Sequence, residues 1–367
     1  MMVAATRFQL APETEEVDRC PVCGNSSAQF LFETRDELHP LPGAFGLLRC
    51  VECDLVRLSP RPLPEKLSFY YPEGEYYSYQ NPVTASVAHR RGWRGAFIDS
   101  IRDSVLASKG YDVGRLSVLQ RAFQPAFTTV FRYRIPYGFG WRFPDYIPGG
   151  RAVEIGCGSG TFLGLLKHHG WHVSGVELSA RAAAFAKEQL GIDVFVGDVE
   201  DAPIEEKSID YVHMSQVIEH LPNPLSALRT VSRLLKPGGI VYIETPNIDS
   251  FGRRRYGRDW LHWDSPRHLC LFNSKNIART MDSAGLETRL IRSSVLTLKW
   301  SESYRQRRLS GVKPKEAPTG DPTELVDKGK WRARMLLGAA YANYLLDPSS
   351  GDNLHCIASP RQTRTVA

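Results

Sequence analysis

The chain has 367 residues, a net charge of +6 and an ordinary share of apolar and aromatic side chains. That length allows two domains and a large core, and the mild positive charge permits an anionic substrate without demanding nucleic acid. No run approaches the roughly 18 apolar residues of a bilayer span, and the N-terminal stretch lacks the apolar run of a secretory signal, so the expected location is cytoplasmic.

Two C-x-x-C hooks come first, Cys20 with Cys23 and Cys50 with Cys53. Two such hooks a couple of dozen residues apart make a tetrahedral thiolate cage for zinc. Four protein ligands close the site, so this Zn²⁺ is expected to be structural. Disulfides are the alternative, disfavoured in a reducing cytosol. Residues 15–62 therefore read as a zinc ribbon with a proline-rich exit, Ser59 to Pro64. An aromatic patch runs from Phe69 to Tyr77. From about 85 to 135, apolar residues three and four apart predict helices. Residues 63–145 together read as a helical linker that caps a substrate pocket, or as a packing helix pair.

A core domain is expected over 146–295. Strands are predicted near 151–156, 171–177, 193–198, 209–215 and 240–245, with helices near 160–169, 179–190 and 224–235. The run Lys236-Pro237-Gly238-Gly239 is expected to end the last of these helices. Strict alternation calls for an α/β, Rossmann-like sheet, mostly parallel, with helices on both faces. A helix near 274–284 and a strand near 286–295 continue it. Residues 296–350 read as an insertion with a basic helix, and 351–362 as the last core strand. Within the insertion, 328–346 is basic, then apolar, which suits peripheral contact with an anionic membrane or packing on the core.

The first core strand runs straight into Gly156, Gly158 and Gly160. Glycines there let the backbone come close to a ligand. About twenty residues on, the second strand ends in Glu177, placed to accept hydrogen bonds from ribose hydroxyls. A nucleoside-binding crevice follows. The spacing G-x-G-x-G departs from the dinucleotide fingerprint G-x-G-x-x-G. The fourth strand leaves through Gln216-Val217-Ile218-Glu219-His220. Glu219 and His220 are adjacent ionisable groups at a strand end, a pair suited to acid–base work. The loop from Arg253 to His268 is dense in groups that bind anions or sugars.

From Arg151 to about Phe272 the chain resembles a class I S-adenosylmethionine (SAM) methyltransferase. The landmarks are VEIGCGSGTFL, GWHVSGVELS, VGDVE, IDYVHMSQVIEHLPNP and LLKPGGIVYIETPN. The resemblance implies SAM as cofactor, with the three glycines closing on its methionine part. It implies Glu154 near the amino group and Asp198 at the adenine amine; the run Met214 to His220, with Gln216 against the cofactor, leaves strand four and is expected to face the sulfonium. It also implies a final antiparallel strand beside the fifth. In ubiquinone-pathway and small-RNA 2′-O-methyltransferases, E-x-x-E-H after strand four binds a divalent metal, and a later histidine completes the site in the RNA enzymes. Here Gln216 replaces the first acid and removes a charged oxygen ligand. A metal-free site is expected instead, in which His220 or His268 takes the substrate proton beside Glu219.

The chain is also similar to bacterial enzymes that join a four-cysteine ribbon to this core. The shared marks are the tyrosine patch, the EHLPNP turn, the TPN strand end and the W-x-x-P-R-H-L loop, here Trp263 to Leu269. Such enzymes serve surface-polysaccharide and natural-product pathways. The resemblance implies a small-molecule, sugar or glycan acceptor methylated on oxygen or carbon. The alternatives are an RNA 2′-O-methyltransferase and a non-catalytic SAM-binding scaffold. Nucleic acid is not the expected partner, because the charge is modest and no N/D-P-P-Y/F sequence follows strand four.

Overall fold

The computed structural model describes residues 12–71, 93–114, 142–295 and 330–361. The expected cap over 72–92 and 115–141, and the linker over 296–329, lie outside the described residues.

The N-terminal region is built on β1 (Ala28–Thr34), β2 (Phe45–Cys50) and β3 (Val56–Leu58), all antiparallel. The two hooks repeat one turn. Gly24 and Asp54 N–H groups donate to the carbonyls of Cys20 and Cys50. Both residues are left-handed, at φ 74° and 60°. Glycine has no Cβ to clash there, and aspartate is among the side chains that tolerate the region.

Helix α1 (Trp93–Ser108) precedes the core. The core then runs β4 (Arg151–Ile155), α2 (Thr161–His168), β5 (His172–Glu177), α3 (Ala180–Leu190), β6 (Asp193–Val196), β7 (Ile209–Ser215), α4 (Pro224–Leu234) and β8 (Leu235–Pro246). It continues through α5 (Phe251–Tyr256), β9 (Cys270–Leu271), α6 (Ser274–Ser283), β10 (Leu286–Ser294), α7 (Lys330–Leu346) and β11 (Asn353–Pro360). Seven strands form one sheet in the order β10-β11-β8-β7-β4-β5-β6. The five from β8 to β6 are parallel. β11 is antiparallel to both β8 and β10 and lies between them, as the resemblance implied.

Sequence explains these elements locally. In α4, Asn223 caps Ser226 N–H, Pro224 takes the first turn, and Ala227, Leu228, Val231 and Leu234 form the buried stripe. Each buried leucine or valine is worth about 1.5–3 kcal/mol. α3 begins on Ser179, whose Oγ accepts from Ala182 N–H, and ends at left-handed Gly191. The fifth strand starts earlier than expected. α4 ends at Leu234, and Lys236 to Gly239 falls within β8, where the register breaks between Leu235 and Ile240. Pro237 has no N–H for a ladder, and Gly238 stands at φ 86°, so the strand bulges there.

β9 comes from the core but pairs with β3, completing a four-stranded sheet in the order β9-β3-β2-β1. The N-terminal sheet is thus extended by the loop that follows α5.

Candidate active site

The carboxyl ends of the parallel strands form the crevice where an open α/β sheet takes its ligand. Gly156, Gly158 and Gly160 follow β4 at φ 66°, 51° and 75°. A Cβ on Gly156 would stand 2.5 Å from Val217 Cγ2, so the turn needs glycine there on two counts. Glu177 closes the turn from β5. Its Oε2 accepts from Gly158 N–H at 2.8 Å and its Oε1 from Ser179 N–H at 2.9 Å. Each oxygen keeps a second lone pair for a ligand hydroxyl. Asp198 is exposed just past β6. Exposed Leu178 and Val196 stand beside this acid pair, Val196 in register with Glu177.

Glu154 is buried behind the turn. His213 on β7 places Nδ1 2.9 Å from Glu154 Oε1, and Glu154 Oε2 has no hydrogen-bond partner among the described residues. His213 is enclosed between Phe162, at 4.1 Å between ring centres, and Tyr242, at 5.2 Å. Arg142 Nε lies 3.4 Å from its Nε2. Burial raises the Glu154 carboxyl to about 8 against the pull of Arg142, and burial holds His213 well below its ordinary value. The ring is therefore neutral, with its Nδ1–H toward Glu154.

Gln216 ends β7 in a left-handed conformation, φ 55°, and its N–H donates to Glu244 O at 2.8 Å. A short turn then presents Glu219 and His220. Glu219 is fully buried. Its Oε2 accepts from Thr245 Oγ1 at 2.9 Å, and its Oε1 has no partner among the described residues. Burial raises its carboxyl to about 8. His268 arrives from the loop before β9, its ring centre 4.7 Å from that of His220. Its Nδ1 lies 2.8 Å from His262 O. His220 Nδ1 lies 3.0 Å from Arg267 O and 2.9 Å from the Tyr71 hydroxyl. A carbonyl only accepts, so these contacts favour a proton on Nδ1 of each ring; His220 Nε2 then has no hydrogen-bond partner among the described residues, and His268 Nε2 lies 3.8 Å from Asp264 Oδ2. Burial lowers His220 to about 3 and His268 to about 4, so both are neutral at physiological pH. One ligand atom each from Glu219, His220 and His268 falls within a 4.8 Å cluster.

The crevice therefore gathers Glu154, Gly156, Gly158, Gly160, Glu177 and Asp198 at one end of the sheet, with Gln216, Glu219 and His220 following β7 and His268 meeting them from the loop before β9. Sequence reading does not single out His213, Arg142 or Tyr71. A histidine inside the apolar strand of β7 was the available signal for the first. The other two are brought in from distant segments.

In the N-terminal region, the sulfurs of Cys20, Cys23, Cys50 and Cys53 all lie within 4.8 Å of one another. Cys20 to Cys53 is 3.6 Å and Cys23 to Cys50 is 3.5 Å. A zinc–sulfur bond of about 2.3 Å implies tetrahedron edges of about 3.8 Å, so the spacing fits a four-thiolate zinc site.

Residues 141–291 match the family described as "Methyltransferase domain". The chain is 32% identical over 107 residues to a ubiquinone biosynthesis O-methyltransferase of Xanthomonas campestris, covering 28% of this chain and 45% of that protein. It is 29% identical over 154 residues to the protein of the same name in Thiobacillus denitrificans, covering 39% of this chain and 66% of that one. The chain thus spans about half the length of the first of these relatives. A solved phosphoethanolamine N-methyltransferase 2 of Haemonchus contortus, in complex with SAM, superposes with a TM-score of 0.43 at 19% identity, covering 84% of this chain and 63% of that one. The match over residues 141–291, the glycine turn and the antiparallel β11 agree on a methyltransferase domain.

Proposed function

We propose that this protein transfers the methyl group of SAM to a hydroxyl or acidic carbon of a small-molecule, sugar or glycan acceptor. The observation that carries the reading is the pair of neutral imidazoles, His220 just past β7 and His268 from the loop before β9, with ring centres 4.7 Å apart and Nδ1 of each facing a backbone carbonyl. In this reading Glu177 takes the ribose hydroxyls and Asp198 the adenine amine. Exposed Leu178 and Val196 cover the base. Glu154, whose Oε2 has no partner among the described residues, is placed for the methionine ammonium. Gln216 faces the sulfonium.

Transfer is an in-line displacement. The acceptor's lone pair forms a bond to the methyl carbon, the carbon–sulfur bond breaks, and the sulfonium leaves as a thioether. Holding the acceptor in a near-attack pose supplies much of the acceleration. As the new bond forms, an acceptor hydroxyl becomes strongly acidic, so even a weakly basic imidazole takes its proton. His220 Nε2 or His268 Nε2 receives it, with the Glu219 carboxyl in the same cluster. The named relatives are O-methyltransferases, which favours oxygen as the acceptor atom.

A second reading has one observation in its favour. Glu219, His220 and His268 cluster within 4.8 Å, and Glu219 Oε1 has no partner among the described residues. Two imidazoles and a carboxylate would hold a divalent cation, which would acidify an acceptor hydroxyl.

Residues 15–62 are proposed to form a ribbon on a structural zinc held by Cys20, Cys23, Cys50 and Cys53, which the sulfur spacing supports. The core is proposed over 146–295, closed by 351–362. Residues 63–145 are proposed as its cap and 296–350 as its insertion.

The test is methyl-labelled SAM with a panel of phenols, sugar nucleotides and short glycans. Label should reach a small acceptor, and no RNA should be labelled. A chelator should leave turnover intact if an imidazole alone takes the proton. It should abolish turnover, with rescue by Mg²⁺ or Mn²⁺, if the cation reading is correct.

A further inference from the structure

We propose that Arg267 is a positioning residue: paired with Asp36 of the N-terminal sheet region, it holds its loop so that His220 keeps its proton on Nδ1 and a bare Nε2. The inference rests on the reading of His220 as the acceptor-side base.

Arg267 is fully buried, and so is Asp36 at 4% exposure. The guanidinium meets Asp36 as a fork, NH1 to Oδ2 at 2.9 Å and NH2 to Oδ1 at 2.8 Å. It also bonds Asp264 Oδ1 through Nε at 2.9 Å and NH2 at 2.6 Å, and Tyr70 O through NH1 at 3.1 Å. Asp36 is itself fixed, because Leu38 and His39 N–H groups donate to its Oδ1 at 3.0 Å. A buried arginine with two carboxylates at these distances is strongly held, and removing one partner strands a charge.

The same loop reaches the site through its backbone. Arg267 O lies 3.0 Å from His220 Nδ1, and Leu269 N–H donates to Glu219 O at 2.8 Å. The next residues, Cys270 and Leu271, pair with β3. The turn carrying Glu219 and His220 is thus pinned by a loop whose side chain and strand both end in the N-terminal region.

Tyr71 makes the arrangement consequential. Its hydroxyl lies 2.9 Å from the same Nδ1. A carbonyl can only accept, whereas a hydroxyl can accept or donate. With Arg267 O in place, the proton must sit on Nδ1. With the loop displaced, the Tyr71 hydroxyl donates to Nδ1, the ring proton moves to Nε2, and the base is lost.

Histidine-labelled protein, full length and bound to demethylated cofactor, shows the tautomer by two-bond proton–nitrogen NMR. His220 is assigned by its absence in His220→Ala. The wild type should show Nδ1–H at His220; an Nε2–H ring overturns the proposal at once. Asp36→Asn should bind the cofactor within about twofold of wild type, as the Arg267 fork does not touch the glycine turn. It should show His220 as Nε2–H, and turnover should fall by about 10²-fold, the scale of a lost general base. A folded Asp36→Asn variant with the wild-type tautomer and turnover overturns the proposal. If that variant fails to bind cofactor, Arg267→Lys keeps the charge without the fork, and the same two outcomes decide. Full turnover in His220→Ala would instead sink the base reading, while the tautomer still reports on the loop.

Discussion

His220 and His268 share one device: Nδ1 of each faces a backbone carbonyl, and the two rings meet edge to face. Removing either ring tests it. Under the metal-free reading, His220→Ala or His268→Ala should cut turnover by about 10²–10⁴-fold, with SAM affinity nearly unaltered. Steady-state kinetics beside calorimetry would check this. Full turnover in both variants would mean the acceptor arrives already nucleophilic. The pH dependence is equally specific. Burial lowers both rings, to about 3 and about 4, so the neutral, proton-accepting form persists far into acid. Turnover should stay level down to about pH 5, whereas a free imidazole would lose half its neutral form near pH 6.5. Stability follows the same sign. The unfolded chain binds protons at His262 and His268 from about pH 6.5, while the folded rings refuse them until about 4, so these groups destabilise the fold as pH falls through that window. Chemical denaturation from pH 7 to 4 would measure it. The histidines were legible in the sequence because Glu219 and His220 sit at a strand end and His268 closes a quoted motif. Tyr71 and Asp36 were not, because they lie 149 and 231 residues from His220 and Arg267. No local pattern encodes such a pairing.

Among the elements, the glycine turn and the two hooks were the easiest to read, since each needs a residue type that little else explains. Gly156→Val would drive a side chain into Val217 and force a left-handed β-branched residue. A strain of about 1–3 kcal/mol should weaken SAM about 10- to 100-fold, and calorimetry showing wild-type affinity would contradict the turn's role. The hooks predict about one zinc per chain by elemental analysis. Cys53→Ser should lose the metal and lower the melting temperature, since a region this small lacks a sufficient core without it. Metal-free protein that melts like wild type would refute the ribbon. β9 escaped the sequence reading altogether. A two-residue strand has no periodicity, and its partner β3 belongs to the other region. Lys236 to Gly239 was legible as the stop after α4, but not as a bulge within β8, because glycine and proline stop helices and interrupt strands alike.

At the scale of the whole molecule, alternation of strands and helices was enough to give the sheet and the place of its ligand. It was not enough to show that the N-terminal sheet and the core are stitched together by β9, Arg267 and the contact of Tyr71 with His220. On the proposed role of His220, that union would give the N-terminal region a bearing on chemistry as well as on stability. No described helix is long and apolar enough to cross a membrane. The RNA alternative makes a separate forecast, because binding through phosphates weakens steeply with salt. A gel shift that persists at low salt and collapses with added salt would favour it. The account as a whole depends on one ligand. Titration calorimetry of the full-length protein with SAM, its demethylated product and NAD tests that most directly. Micromolar binding of the first two and none of NAD is the predicted result. Binding of NAD, or no heat with SAM, would contradict it.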